Sequence, residues 1–126
     1  MPKVMLIDDD KNMLSLLDTL LALEGYDVSK LGADLSLEGQ EIRYAIKREN
    51  PDLLMMDVHL NQVNGLDGFD LLRQLRRDSD LAEMKILISS GMDFSDKCIR
   101  EGADGFVLKP YMPEELLVKI RRILGL

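Results

Sequence analysis

Short apolar segments alternate with segments of helical periodicity along the chain, and this alternation restricts the possible folds more than any other feature of the sequence. The apolar segments, predicted to be strands, cover residues 3–8, 26–31, 52–58, 85–89 and 105–109. The segments between them repeat apolar residues every three or four positions, which predicts helices over 13–25 and 42–50, from Asp67, over 93–102 and from Pro113. Such alternation is typical of a parallel sheet with helices on both faces. The sequence therefore predicts a doubly wound α/β domain.

Composition limits the size, compartment and partners of the chain. A chain of 126 residues with 46% hydrophobic content is long enough for one compact domain, predicted to span residues 1–126. The net charge of −7 argues against direct binding to nucleic acid. The lone Cys98 cannot form an internal disulfide, and no apolar run is long enough to cross a membrane. These features predict a cytoplasmic protein that contacts neither nucleic acid nor membrane.

Polar side chains stand where four of the predicted strands end. In doubly wound folds, ligands bind at the carboxyl ends of the strands. The polar residues found there are Asp8, Asp9, Asp57, Ser89, Ser90 and Lys109. Carboxylates that are brought together repel one another unless a cation neutralises them, and oxygen ligands of this kind suit Mg²⁺. The sequence therefore predicts a magnesium site at this edge of the sheet.

The same residues suit phosphoryl chemistry. Lys109 adds a mobile positive charge and a serine hydroxyl adds a hydrogen-bond donor, so together they can surround an anionic phosphoryl group. A carboxylate can itself attack phosphorus and form an aspartyl phosphate. These charges call for a functional explanation, because ionised groups beside a buried sheet cost free energy unless they are paired.

Five short motifs, taken in order, resemble the receiver domains of bacterial two-component response regulators. They are Asp8-Asp9 after an apolar strand, PDLLMMD ending in Asp57, Asp67-Gly68, Ser90-Gly91, and GADGFVLKP at residues 102–110. Each motif alone is common, but this ordered set extends over almost the whole chain and is specific. The resemblance implies a flavodoxin-like sheet with strand order 2-1-3-4-5. It also implies a signalling domain that catalyses only its own phosphorylation and dephosphorylation.

The resemblance assigns roles to individual residues. Asp57 would accept a phosphoryl group from a histidine kinase or a phosphotransfer protein. Asp9 and Asp57 would bind Mg²⁺ directly, together with the backbone carbonyl of His59, and Asp8 would bind it through water. Lys109 would contact the phosphoryl oxygens.

Phosphorylation is expected to alter a partner-binding surface. The resemblance implies that Ser90 donates a hydrogen bond to the phosphoryl group and that Phe106 transmits the change to the surface of the fourth helix, fifth strand and fifth helix. An output domain, a partner protein or a second copy of the chain could bind that surface. The resemblance further implies a cis peptide before Pro110.

Three features depart from the usual pattern of the family. The segment 59–67 beside the acceptor is long and carries Asn61 where proline is usual. The stretch 31–41 is also long, whereas the fourth helix is short. Ser89 competes with Ser90 as the hydroxyl donor, since either residue can align with the family's hydroxyl position. The sequence therefore specifies the residues for phosphoryl transfer better than it specifies the surface that responds to phosphorylation.

Two functions of other classes stay open. In a Mg²⁺-dependent phosphatase or phosphotransferase, Asp8 would be the nucleophile and Asp10, two positions later, the general acid. Asp57 and Lys109 would then have no role. In a pseudo-receiver, the domain would only dock partners without taking phosphate. Turnover of phosphate esters separates the enzyme from the receiver, and phosphodonor labelling separates the receiver from the pseudo-receiver.

Other notable residues have ordinary structural explanations. Asp10 is predicted to cap the first helix, Cys98 to be inert, and the imidazole of His59 to face solvent or a partner. A solvated helix face is predicted for Arg73, Arg76 and Arg77.

Overall fold

The computed structural model describes residues 1–31, 39–60 and 67–126, and it has the predicted alternation of strands and helices. The strands are β1 (Lys3–Ile7), β2 (Asp27–Leu31), β3 (Leu53–Asp57), β4 (Lys85–Ser90) and β5 (Gly105–Leu108). The helices are α1 (Lys11–Leu23), α2 (Gly39–Glu49), α3 (Gly68–Arg77), α4 (Ser95–Arg100) and α5 (Pro113–Leu124). Most of the unusual stretches 59–67 and 31–41, Asn61 among them, lie outside the described residues. None of the helices described is long and apolar enough to cross a membrane.

The strands form one parallel sheet in the order β2-β1-β3-β4-β5, which confirms the predicted fold class. β3 occupies the centre and is buried at every position, as its continuous apolar run requires. The pairing register places Asp57 beside Ser89 and Ser90 beside Leu108. The polar ends of adjacent strands therefore meet at one edge of the sheet.

Side chains alternate between the two faces of the sheet, and each face has its own apolar core. One core joins strand residues such as Met56, Ile88 and Phe106 to the buried sides of α2, α3 and α4. The other joins residues such as Met55 and Leu87 to α1 and α5. The covering of both faces explains why the strands are apolar at consecutive positions.

The first helix begins earlier than its apolar periodicity predicts. The carboxylate of Asp10 accepts hydrogen bonds from the N–H groups of Asn12 and Met13 at 2.9 and 3.2 Å, so α1 begins at Lys11 and the predicted cap is confirmed. The helix ends at Leu23, and Gly25 follows with a φ of +90°. Glycine adopts this left-handed conformation without the steric penalty of a Cβ, so it ends the helix cheaply.

Backbone pairing also moves the end of β4 beyond its apolar run. The N–H of Lys109 donates to the carbonyl of Ser90 at 2.8 Å, which extends the strand by one residue past the predicted end at Ser89.

Cys98 is fully buried in α4, and burial raises the pKa of its thiol to about 11. Because a reactive cysteine needs a lowered pKa, this environment supports the predicted inertness.

The prediction of a solvated arginine face is wrong for Arg76. Its guanidinium donates to the carbonyls of Gly102, Ala82 and Met84 at 2.8, 3.1 and 2.6 Å. It also pairs with the carboxylate of Asp104 at 2.9 Å. These contacts tie the end of α3 to the segments that precede β4 and β5, at the amino end of the sheet.

Candidate functional site

Three carboxylates converge at the carboxyl ends of β1 and β3. Asp8, Asp9 and Asp57 each offer an oxygen, and these oxygens lie within 4.8 Å of one another. Asp8 is only 4% exposed and Asp57 only 7%. Such a buried cluster of negative charge is unfavourable by itself, so it calls for positive charge at the same place.

Lys109, the residue that follows β5, adds a positive charge beside the carboxylates. Its Nζ lies 3.0 Å from Oδ2 of Asp57 and 3.5 Å from Oδ2 of Asp8. Burial acts to lower the pKa of Lys109, but the hydrogen bond and charge of Asp57, together with the charge of Asp8, raise it overall. Lys109 is therefore firmly protonated. The peptide between Lys109 and Pro110 is cis, as expected.

Backbone N–H groups orient two of the carboxylates. The N–H of His59 donates to Oδ1 of Asp57 at 3.1 Å, and the N–H of Asp10 donates to Oδ1 of Asp8 at 2.9 Å. Burial raises the pKa of the Asp8 carboxyl, and the bond from Asp10 and the charge of Lys109 only partly offset that effect. Asp57 thus has one oxygen held by a backbone N–H and the other by Lys109.

The donor set fits a hard divalent cation. All three converging side chains are carboxylates, and oxygen ligands of this kind are those that Mg²⁺ prefers in proteins. Two of the three are buried, so a cation there would relieve repulsion that water cannot screen. His59 contributes its N–H to Asp57, and its side chain is exposed as predicted.

Both candidate serines are buried at the same edge, Ser89 at 2% and Ser90 at 0% exposure. Ser89 pairs with Asp57 in the sheet register. The Ser90 carbonyl accepts from the N–H of Lys109, and its hydroxyl accepts from the N–H of Met92 at 3.1 Å. Each serine thus adjoins a different member of the charged cluster.

Phe106 lies in the apolar core on the same face of the sheet as Ile88, its partner in β4. Its side chain is already buried, with 8% exposure. Lys119 of α5 donates to the backbone carbonyl of Phe106, which ties the start of β5 to that helix. Any conformational change of the Phe106 side chain must therefore start from a ring that is already buried in the core.

An apolar groove beside Lys109 was not foreseen from the sequence. It has a volume of about 460 Å³ and lies between α1 and the residues after β5, with Met13, Leu17, Pro110 and Tyr111 in its wall. Burial raises the pKa of Tyr111 to about 12, so the ring stays neutral. These groove residues are mostly apolar and come from segments far apart in the sequence, so only the tertiary packing brings them together beside Lys109.

Comparison with known proteins decides the family. The model of the response regulator receiver domain family matches residues 4–121. The chain belongs to this family. The predicted receiver-domain family is thus confirmed, and the matched residues include all three of the clustered carboxylates.

Individual relatives agree in sequence and in fold. The chain is 34% identical over 127 residues to the DNA-binding dual master transcriptional regulator RpaA of Synechocystis, a match that covers 98% of this chain and 49% of that protein. A putative response regulator from Chloroflexus aurantiacus superposes with a TM-score of 0.83 at 26% identity, over 99% of this chain and 98% of the other. The chain spans about half the length of the curated relatives it matches.

A third solved structure has the same fold at lower identity. It is the receiver domain of the sensor histidine kinase PA1611 from Pseudomonas aeruginosa, with a TM-score of 0.79 and 20% identity over 99% of this chain and 98% of the other. That receiver was solved with a magnesium ion coordinated in its active site cleft.

The Asp8→Asn variant is expected to gain stability over wild type as pH rises, when both are studied in chelator. Asparagine resembles the neutral acid and keeps an oxygen for the Asp10 N–H. Because the pKa of Asp8 is raised in the folded state, wild type is stabilised by protonation at low pH and loses that stability as pH rises through the raised pKa. The difference in free energy of unfolding should therefore widen as pH rises above 3.8, the ordinary pKa of an aspartate, and become constant once pH has passed the raised pKa. Urea denaturation measures it, and a difference that is the same at every pH would contradict the prediction.

Proposed function

We propose that Asp57 accepts a phosphoryl group from a histidine kinase or a phosphotransfer protein, and that the domain catalyses only this reaction and the later hydrolysis of the aspartyl phosphate, which releases inorganic phosphate. An Asp57 oxygen forms the new bond to phosphorus as the bond from phosphorus to the donor breaks. The observation that carries the proposal is the pair of contacts on Asp57, from the His59 N–H to Oδ1 and from Lys109 Nζ to Oδ2. These contacts hold a buried carboxylate in a fixed orientation, which favours attack on a bound phosphoryl group.

Asp8, Asp9 and Asp57, with the backbone carbonyl of His59, are the residues we propose to hold Mg²⁺. When bound, the ion would neutralise charge on the phosphoryl oxygens. The convergence of three carboxylate oxygens within 4.8 Å supports this assignment. The magnesium ion in the cleft of the PA1611 receiver supports it by analogy.

The geometry at Asp10 argues against the phosphatase alternative. A general acid two positions after the nucleophile must present its carboxyl group to the leaving oxygen. The Asp10 carboxylate instead accepts from the N–H groups of Asn12 and Met13 and so caps α1. It is used in the fold rather than in the site.

The Asp57→Asn variant is expected to take no phosphoryl group. Wild type incubated with acetyl phosphate and Mg²⁺ should gain the mass of one phosphoryl group, labile to hydroxylamine as an acyl phosphate is. Asparagine keeps the size of the side chain and lacks the nucleophilic carboxylate. Label that survives in the variant would disprove the assignment of the acceptor, and a wild-type protein that takes no label would favour the pseudo-receiver.

We propose Ser90 as the hydroxyl donor to the phosphoryl group and Phe106 as the residue that responds to it. Ser90 follows Ile88 by two positions in β4, so it lies on the face of the sheet that carries Phe106. A shift of the Ser90 hydroxyl changes the space available to the Phe106 ring. Binding partners of α4, β5 and α5 would sense that change through their differential affinity for the two arrangements.

The Ser90→Ala variant is expected to take phosphate more slowly and to lose most of the phosphorylation-dependent change in the amide NMR spectrum around Phe106 and α4. Ser89→Ala is the matched control, because Ser89 is equally buried on the neighbouring position and lies on the opposite face. It should keep the response. Exchanged behaviour of the two variants would instead assign the hydroxyl role to Ser89.

The output of phosphorylation is a proposal about a longer assembly. RpaA and MtrA, two of the relatives, are described as DNA-binding, and this chain matches about half of each. We propose that an output domain or a partner protein binds the surface that phosphorylation alters. A second copy of the chain, which would form a homodimer, is a further proposed partner. That these 126 residues contact no nucleic acid themselves stays a prediction from their charge.

A further inference from the structure

The first residue of α3 lies against the backbone of the acceptor. The N–H of Gly68 donates to the carbonyl of Val58 at 2.7 Å. A Cβ added at position 68 would lie 2.7 Å from Cα of Val58 and 2.8 Å from the carbonyl oxygen of Asp57. Both contacts are with main-chain atoms, so they cannot be relieved by turning a flexible side chain. The close approach of α3 to β3 thus requires glycine at this position.

Val58 is held from two sides. Its N–H donates to the carbonyl of Ser89 at 3.0 Å, and its carbonyl accepts from Gly68. Val58 joins Asp57 to His59, whose N–H orients Oδ1 of the Asp57 side chain. The start of α3 therefore fixes the peptides on which the orientation of the acceptor carboxylate depends.

Helix α3 has little freedom to retreat from an added methyl group. The carboxylate of Asp67 caps it by accepting from the N–H of Asp70 at 2.8 Å. Phe69 is buried, and its ring packs edge-on against Phe94 with centroids 5.5 Å apart. Displacement is therefore directed into the strand end, toward Asp57 and Val58.

We infer that Gly68 is a positioning residue for phosphoryl transfer, because the absence of a side chain there sets the orientation of the Asp57 carboxylate through Val58 and His59. The inference rests on the proposed role of Asp57 as acceptor. It assigns Gly68 no contact with the phosphoryl group itself.

Gly68→Ala and Gly105→Ala form a matched pair for the test. A Cβ at position 105 would also be crowded, at 2.8 Å from Cδ1 of Ile123 and 3.3 Å from Cδ1 of Leu87. These are side-chain ends at the start of β5, away from the carboxylates. Both variants should lose stability, but only Gly68→Ala should slow phosphorylation by acetyl phosphate, by at least about tenfold, because small misplacements of a nucleophile are costly. Rates are compared well below the unfolding temperature of each variant.

A second readout does not depend on phosphorylation. In metal-free protein, the amide NMR signal of His59 should shift in Gly68→Ala and stay in place in Gly105→Ala, because its hydrogen bond to Asp57 changes only in the first. Wild type that takes no phosphoryl group would refute the proposed function. If wild type is phosphorylated, either of two results would overturn this inference. One is that Gly68→Ala is phosphorylated as fast as wild type, and the other is that the amide signal of His59 does not move in Gly68→Ala.

A milder variant keeps the test decisive if Gly68→Ala does not fold. Asp67→Ala removes the cap and loosens the first turn of α3 without adding bulk. It should shift the His59 signal and slow phosphorylation less than the steric clash would. An unchanged rate and an unmoved His59 signal in Asp67→Ala, with the amide of Asp70 losing its exchange protection, would overturn the inference as well.

Discussion

The Lys109→Met variant is expected to be phosphorylated at Asp57 at least about 100-fold more slowly than wild type, while binding Mg²⁺ more tightly. Lys109 Nζ contacts Asp57 at 3.0 Å in the resting domain and is well placed to neutralise charge on a bound phosphoryl group. Methionine keeps a long unbranched side chain and removes that charge. The loss falls on the transition state, where negative charge on the transferred group must be stabilised.

The opposite effect on Mg²⁺ follows from the same contacts. In wild type, the ammonium group of Lys109 partly neutralises Asp8 and Asp57 and so competes electrostatically with a bound cation. Without it, the three carboxylates attract Mg²⁺ more strongly. Titration with Mg²⁺ and rates with acetyl phosphate measure the two effects separately.

Lys85→Met is the control for a general effect of net charge. Lys85 is exposed at the start of β4, at the end of the sheet opposite to the carboxylates. This variant should leave both the phosphorylation rate and the Mg²⁺ affinity nearly unchanged. Slower phosphorylation together with weaker Mg²⁺ binding in Lys109→Met would mean that the lysine supports the shape of the site rather than its charge.

The order of elements and the clustering of polar side chains at the strand ends were predictable because they depend on local patterns. Aliphatic runs such as residues 52–58 fix a central strand, since only burial on both faces tolerates them. Parallel strands bring their carboxyl ends together, so Asp8, Asp57 and Lys109 could be grouped before any contact was known. The structure places them within hydrogen-bond or ion-pair distance.

Features that depend on backbone contacts between distant segments could not be predicted. The extra residue of β4 depends on the bond from the Lys109 N–H to the Ser90 carbonyl, and every residue except proline has such groups. The only sequence feature related to the tight contact of Gly68 with Val58 is the Asp67-Gly68 motif, and this motif does not reveal how closely the two backbones approach. The buried position of the Phe106 ring likewise follows from packing against α4 and β4, not from its neighbours in sequence.

Arg76→Met is expected to lower the free energy of unfolding by about 3 kcal/mol, since removal of the guanidinium leaves four acceptors, two of them partly buried, without their charged donor. The acceptors are the carbonyls of Gly102, Ala82 and Met84 and the carboxylate of Asp104. Asp104 keeps its bond from the N–H of Ile86, so its loop is weakened rather than freed. Methionine retains much of the apolar stem, which isolates the polar contribution.

Arg77→Met is the matched control for this prediction. Arg77 is the next residue of α3 and is exposed, so its loss should change stability by less than about 0.5 kcal/mol. Urea denaturation of both variants gives the comparison. Because the contacts of Arg76 lie at the amino end of the sheet and the carboxylates lie at the other end, Arg76→Met should be phosphorylated at the wild-type rate under conditions where it is folded. Equal stability of the two variants would mean that water replaces the guanidinium at its carbonyls, and a slower rate in Arg76→Met would mean that the two ends of the sheet are coupled.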